Sequence, residues 1–416
     1  MAARRQKTEP APAPRSGTPR YDRPVAGGPG TRVLRSILLL ILVVVGILTI
    51  VPHRGQTPST SAPLQSARTP PTRPLQIGIA YGNTLIGMDE QDLGNALDDA
   101  VSVGAGTIRT DLAWGDVQPD GPDEFQWARF DGVVHAARAR GLRLLLVVAY
   151  TPHWARPAGC DSDKCAPADP ARFADFARAA AERYASEDVL GWEIWNEQNT
   201  PGFWAPKVDP EAYTALLQAT STAIRGVDPS ALILLGGLAS VDTTDGGMAP
   251  GQFLSRICAL GGNTAVGAIA YHPYTYPYLA SESRRDSTPW GRMNVGRDSL
   301  RSVLSRYGTP DLPIWLTEYG APTSGPGAAS DGDPKSISAE TTHVTEERQA
   351  QIARDVLMTV AQDRHVGALI WYSERDLGED TGTNLNFYGL RRSDGTKKPA
   401  FSSFKVTVGH LDLGPR

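Results

Sequence analysis

The chain has 416 residues, 41% of them hydrophobic, which is enough core for one large α/β domain or two smaller ones and excludes a wholly disordered protein. Its net charge of −4 hides an asymmetry, because residues 1–35 hold eight Lys or Arg against two acids and leave 33 basic and 43 acidic residues, a net −10, beyond them. So acidic a main domain excludes a nucleic-acid partner, whose phosphates require a basic surface.

Residues 1–32 are rich in Pro, Ala, Arg and Gly without apolar periodicity and are expected to form a disordered basic tail. Ser36 to Val51 is an uninterrupted apolar run, long enough with its flanks to cross a bilayer, so 33–52 is expected to be a single-pass membrane helix. Arg4, Arg5, Lys7, Arg15, Arg20, Arg23, Arg32 and Arg35 precede it, which leaves the amino terminus in the cytoplasm and the large domain outside the cell membrane. Cleavage as a signal peptide, giving a secreted domain, is the alternative; no Ala-x-Ala site directly follows the run. Residues 53–74 are dense in Pro, Ser and Thr and read as a tether.

From Leu75 the chain alternates strand-length apolar runs with helical stretches, the pattern of parallel β/α units. Strands are predicted at Gln76–Ala80, Thr107–Leu112, Arg143–Ala149, Val189–Trp195, Ala231–Leu235, Ala265–Tyr271, Ile314–Thr317 and Ala368–Tyr372. Helices are predicted at Asp89–Val103, Phe130–Arg140, Pro170–Ala185, Pro210–Val227, Gly251–Leu260, Gly296–Tyr307 and Thr345–Asp363, with a closing helix from about Lys398. Asp169 before Pro170, and Thr345 before Glu346 and Glu347, are good helix starts. Eight units over 75–405, about 41 residues each, predict a (β/α)8 TIM barrel followed by a short tail, 406–416. Cys160 and Cys165 bracket a polar loop where an external compartment permits a disulfide, and no His lies at metal-ligand spacing beside them.

In such a barrel, chemistry sits where strands end. The run Gly191-Trp-Glu-Ile-Trp-Asn-Glu-Gln-Asn199 ends in Asn196 and Glu197, and Leu312-Pro-Ile-Trp-Leu-Thr-Glu-Tyr-Gly320 ends in Glu318. The two acids lie 121 residues apart, three units of a barrel, so both are expected at one cavity. A lone carboxylate at a strand end is usually a cap or an ion-pair partner, but two across one cavity are the minimum apparatus for glycosidic cleavage.

Arg109 either pairs with Glu193 in the barrel interior or holds Glu318 ionised. Asn196 is either a sugar-hydroxyl donor or a turn residue. His272 has a substrate contact or a structural bond as its two readings, and Tyr274 is placed to donate to the nucleophile. Trp371 is expected as the floor of the sugar subsite. Trp114 and Trp154 are either sugar platforms or core, as are Trp204 and Trp290.

With these residues in view the chain resembles glycoside hydrolase clan A, and most of all family 39, over about residues 75–405. Trp-Glu-Ile-Trp-Asn-Glu-Gln-Asn with Phe203-Trp204 is similar to that family's fourth-strand motif, which implies that Glu197 is the acid/base. Ile-Trp-Leu-Thr-Glu-Tyr-Gly is similar to the seventh-strand motif, which implies that Glu318 is the nucleophile. Arg109, Tyr271-His272-Pro273-Tyr274 and Trp371 match further family positions, while Gln198 stands where the motif usually has proline. The resemblance implies a retaining hydrolase without metal or organic cofactor, acting on a polysaccharide or oligosaccharide. The rival expectations are a noncatalytic carbohydrate-binding or envelope-scaffold protein, and a transglycosylase using the same site.

Overall fold

The computed structural model describes residues 74–244, 246–411 and 413. The expected basic tail, the membrane segment and nearly all of the tether lie outside the described residues. No helix among the described residues is long and apolar enough to cross a membrane.

Eight parallel strands close into a barrel, each followed by a helix. The strands are β1 (Gln76–Gly82), β2 (Thr107–Ala113), β3 (Arg143–Ala149), β4 (Val189–Asn196), β5 (Ile233–Ala239), β6 (Ala268–His272), β7 (Ile314–Tyr319) and β8 (Val366–Tyr372). The helices are α1 (Glu90–Ser102), α2 (Ala128–Arg138), α3 (Pro170–Tyr184), α4 (Pro210–Val227), α5 (Pro250–Ala259), α6 (Leu300–Arg306), α7 (Glu346–Ala361) and α8 (Pro399–His410). Side chains of Asp89, Asp169, Asp209, Ser299 and Thr345 cap helix amino termini by accepting backbone N–H bonds. β1 pairs with β8, which closes the ring.

Alternation along the strands divides the core in two. Ala80, Leu145, Leu234, Ala268, Ala270, Trp315, Ala368 and Ile370 fill the barrel interior. Ile79, Ile108, Leu144, Ile194, Ile269, Leu316 and Leu369 face the helix layer. Above the apolar interior fill lies a polar layer built on Arg109 and Glu193. A cavity of about 840 Å³ opens at the opposite, amino-terminal end between Trp192, Trp315, Leu190 and Val366, away from both strand-end acids.

β3 has the expected bounds, β1, β2, β4, β7 and β8 extend one or two residues beyond theirs at one end, and β5 and β6 are shifted, for one reason each. β5 starts and ends later, running through Gly236 and Gly237 to Ala239, because the glycine pair sits inside the sheet at a β-bulge. β6 starts at Ala268 because Gly262–Thr264 forms a single 3-10 turn that uses up the preceding residues. The long connection after β7 contains a small two-stranded ladder, Ala328–Ser330 against Thr341–Val344.

Candidate active site

Both strand-end acids reach the barrel mouth through a break in alternation. In β4, Glu193 points inward and Ile194 outward, so a regular pleat would aim Trp195 into the barrel. Instead Trp195 adopts φ +71° and Glu197 φ +48°. Trp195 swings into the helix layer against Trp204, Phe173 and Tyr150, and Asn196 and Glu197 turn together toward the cavity. β7 achieves the same with one extra residue: Leu316 pairs with Leu369 and Tyr319 with Trp371, so three residues of β7 span two of β8. Thr317 and Glu318 therefore both project inward.

Glycines make room for this. A Cβ at Gly236 would lie 2.3 Å from the Ile194 carbonyl oxygen, and one at Gly237 would lie 2.1 Å from His272 Nε2. Only a residue without a side chain lets β4 and the His272 ring approach β5 so closely. Gln198, buried where proline was expected, donates from Nε2 to the Gly236 carbonyl at 2.8 Å and holds the glycine segment in place.

Arg109, 1% exposed, organises the floor. Its Nε and Nη2 donate to the two Glu193 oxygens at 2.8 and 2.9 Å, Nη1 donates to Glu318 Oε1 at 2.6 Å, and Nη2 also donates to Asn196 Oδ1 at 2.7 Å. Both pairings expected of this arginine are thus present at once. Asn196 has its oxygen committed to Arg109, which turns its amide N–H group to the cavity. The Tyr274 hydroxyl donates to Glu318 Oε2 at 2.7 Å. Burial pushes the Glu318 carboxyl up, but the charges of His272 and Arg109 and the Tyr274 hydrogen bond outweigh it, so Glu318 lies below the usual carboxylate range. Burial and the neighbouring Glu318 hold the Tyr274 phenol well above its ordinary value, which keeps it a proton donor.

His272 stands between the two acids, with Nδ1 3.0 Å from Glu197 Oε1 and 3.7 Å from Glu318 Oε2. Its protonation follows from its neighbours. Thr317 gives its hydroxyl proton to Glu193 Oε1 at 3.2 Å, since a carboxylate only accepts. The Thr317 oxygen is then the acceptor for His272 Nε2 at 3.1 Å, so Nε2 carries a hydrogen. The remaining mobile proton lies between Nδ1 and Glu197. Burial lowers the His272 pKa, and Glu318 and Glu197 more than reverse this, leaving it above the ordinary value of 6.5.

One oxygen of Glu197, one of Glu318 and a ring nitrogen of His272 all lie within 4.8 Å of one another. The spacing would suit a metal, but the Arg109 guanidinium already supplies positive charge beside Glu318. The side chains of Glu197 and Glu318 keep 20% and 16% exposure, enough to meet a ligand.

The tryptophans stand elsewhere. Trp371 is fully buried and faces outward, packed on Tyr319 and Phe404 with Nε1 donating to the Tyr388 carbonyl, so it is no floor for a sugar. The inward residue at that end of β8 is its neighbour Tyr372, as strict alternation after Ile370 requires. Trp114 is fully buried against Phe173 and Phe176 and bonds Gln118, which removes it from any subsite. Trp154 is partly exposed, packs edge-on to Trp114 and donates to the Gln118 carbonyl. Trp204 and Trp290 are core. Cys160 and Cys165 are joined in a disulfide on the loop after β3, whose Cys165 carbonyl accepts from Thr151. Thr317, Gly236 and Gly237 are not found from sequence, because the breaks in pairing that place them show only in the register between strands.

A family model described as cellulase, glycosyl hydrolase family 5, matches residues 73–375. No curated protein matches the chain in sequence. Among solved structures, a family 39 glycoside hydrolase from the gut symbiont Bacteroides cellulosilyticus WH2 superposes with TM-score 0.62 at 22% identity, over 82% of this chain and 64% of that one. A monomeric β-xylosidase from Caulobacter crescentus CB15 gives TM-score 0.57 at 21% identity, over 80% and 67%. GH5_18 from Streptomyces cattleya, solved in complex with GlcNAc, gives TM-score 0.60 at 19% identity, over 83% and 82%. The chain thus spans about two thirds of the length of the first two. At these identities the likeness is one of fold.

Proposed function

The chain belongs to the cellulase family, glycosyl hydrolase family 5, within the clan A glycoside hydrolases, and we propose that it is a retaining hydrolase of a cell-envelope or extracellular polysaccharide. The observation that carries the reading is that one oxygen of Glu197 and one of Glu318 lie within 4.8 Å of each other, so both carboxyl groups can reach one anomeric carbon, as a retaining pair requires.

In the proposed mechanism Glu318, kept ionised by Arg109 and Tyr274, attacks the anomeric carbon and forms a glycosyl-enzyme. Glu197 gives the departing oxygen the proton it shares with His272 Nδ1, then takes a proton from the incoming water. The Asn196 amide donates to a hydroxyl beside the reacting carbon. No metal or organic cofactor has a step in this sequence.

The tether and the apolar run Ser36–Val51 support placement outside the cell, held at the membrane, where an endo-acting enzyme meets a polymer. The full chain is expected to release an aryl leaving group or shorten an envelope glycan with retention, read by NMR of the first-formed anomer. Glu318→Gln should lose at least about 10³-fold in turnover yet still bind glycan. Glu197→Ala should keep activity on substrates whose leaving group needs no proton, and regain rate with added azide. Inverted product, or unchanged turnover in Glu318→Gln, would reject the mechanism.

A further inference from the structure

β2 carries an acid that this chemistry leaves unused. β2 and β3 stay in unbroken register from Thr107 opposite Arg143 to Ala113 opposite Ala149, so alternation holds along β2. Asp111 therefore shares the face of Arg109 and projects into the mouth one step above it. Asp111 is only 7% exposed, and among the described residues nothing hydrogen-bonds its carboxylate. An acid with little exposure and no donor among the described residues, at the edge of a substrate cavity, is left free to accept from a ligand.

Its surroundings are polar. Burial pushes the carboxyl up to about 6, opposed by the positive charges of Arg109 and Lys164, while Glu318 and Glu193 add to the rise. The phenols of Tyr150 and Tyr372 each feel Asp111, Arg109, Glu318 and Glu197, so both rings border the same mouth. Lys164 Nζ sits 3.0 Å from the centre of the Tyr150 ring. An ammonium ligand would meet two resident cations here, whereas neutral hydroxyls would satisfy the acid and leave Lys164 and the phenols to serve as donors.

We propose that Asp111 is a specificity-determining residue which accepts hydrogen bonds from two adjacent hydroxyls of the sugar ring seated against Glu318. The proposal rests on the hydrolase reading for the identity of that ring, and a binding measurement separates the two. The full-length chain carrying Glu318→Gln is applied to a glycan array, alone and with Asp111→Asn or Asp111→Ala added, with melting curves to establish folding.

Glycans bound by the Glu318→Gln chain are expected to weaken about 10- to 100-fold in both double variants. In a monodeoxy series of the best-bound ligand, the analogue lacking a contacted hydroxyl should bind the Asp111→Ala chain no worse than the parent ligand does. Unchanged binding overturns the proposal, as does an equal loss for every deoxy analogue. A loss confined to glycans with a free ammonium overturns the choice of hydroxyls. Wild-type chain that cleaves none of the glycans its Glu318→Gln form binds would remove the hydrolase reading while the role of Asp111 is still decided by the array. A Glu318→Gln chain that binds nothing overturns both.

Discussion

The hydroxyl of Thr317 decides where the proton of His272 resides. With Thr317 accepting from Nε2, the imidazole offers Nδ1 to Glu197 and the two share the proton that the leaving group needs. The His272 pKa is raised, so the imidazolium persists beyond the ordinary histidine range, which places the alkaline limb of kcat/KM above that range. The Glu318 pKa is lowered, so the acid limb falls below the usual carboxylate range. Thr317→Val removes the acceptor, weakens the imidazolium and should move the alkaline limb about half to one pH unit toward acid, with the acid limb unchanged. A pH–rate profile on an aryl glycoside checks this, and an unmoved alkaline limb would refute the tautomer assignment.

At the scale of the strand, the glycine bulge in β5 and the extra residue in β7 set the aim of the catalytic groups. Gly237→Ala would drive a methyl group into the His272 ring, whose Nε2 would be 2.1 Å away. Overpacking of this kind costs about 1–3 kcal/mol, so the barrel should still fold while kcat/KM falls at least about 10-fold. Melting temperature and kinetics measured together separate this from simple unfolding. The same irregularities explain what could be read from the chain. Eight strands and their helices were legible because long apolar runs recur, and Glu197, Glu318, Arg109 and Tyr274 because polar residues at strand ends stand out. Trp371 was misplaced because a large aromatic at a strand end looks alike whether it faces inward or outward, and only the phase of Ala368 and Ile370 assigns it outward. The contacts of Thr317 and Gly237 could not be read at all, since they arise where period two is broken and only three-dimensional neighbours reveal the break.

Across the whole barrel, the first and last units meet in a cluster of partly buried charges as well as through the pairing of β1 with β8. Asp99 on α1 and Glu374 just after β8 face each other between Arg375 and Arg391; Arg391 bonds Asp99 and approaches Glu374 Oε1 at 3.2 Å. Burial, then the charge of Asp99, pushes the Glu374 carboxyl up to about 7. The folded state therefore binds this proton more tightly than the unfolded chain, and stability declines as pH rises from the ordinary carboxylate range to about 7 and is flat beyond. Glu374→Gln should raise the melting temperature by about 2–4 °C at pH 8 and leave it nearly unchanged at pH 5. A variant that melts lower at both values would show that the acid is needed ionised. The irregular backbone at the two catalytic strands carries the opposite burden. Non-glycine residues such as Trp195 and Glu197 in left-handed conformation cost on the order of 1–3 kcal/mol each. Deleting Trp195 would restore an even pleat in β4 and turn Glu197 toward the helices, leaving a barrel without its proton donor. Stability and catalysis thus pull on Trp195 and Glu197 in opposite directions.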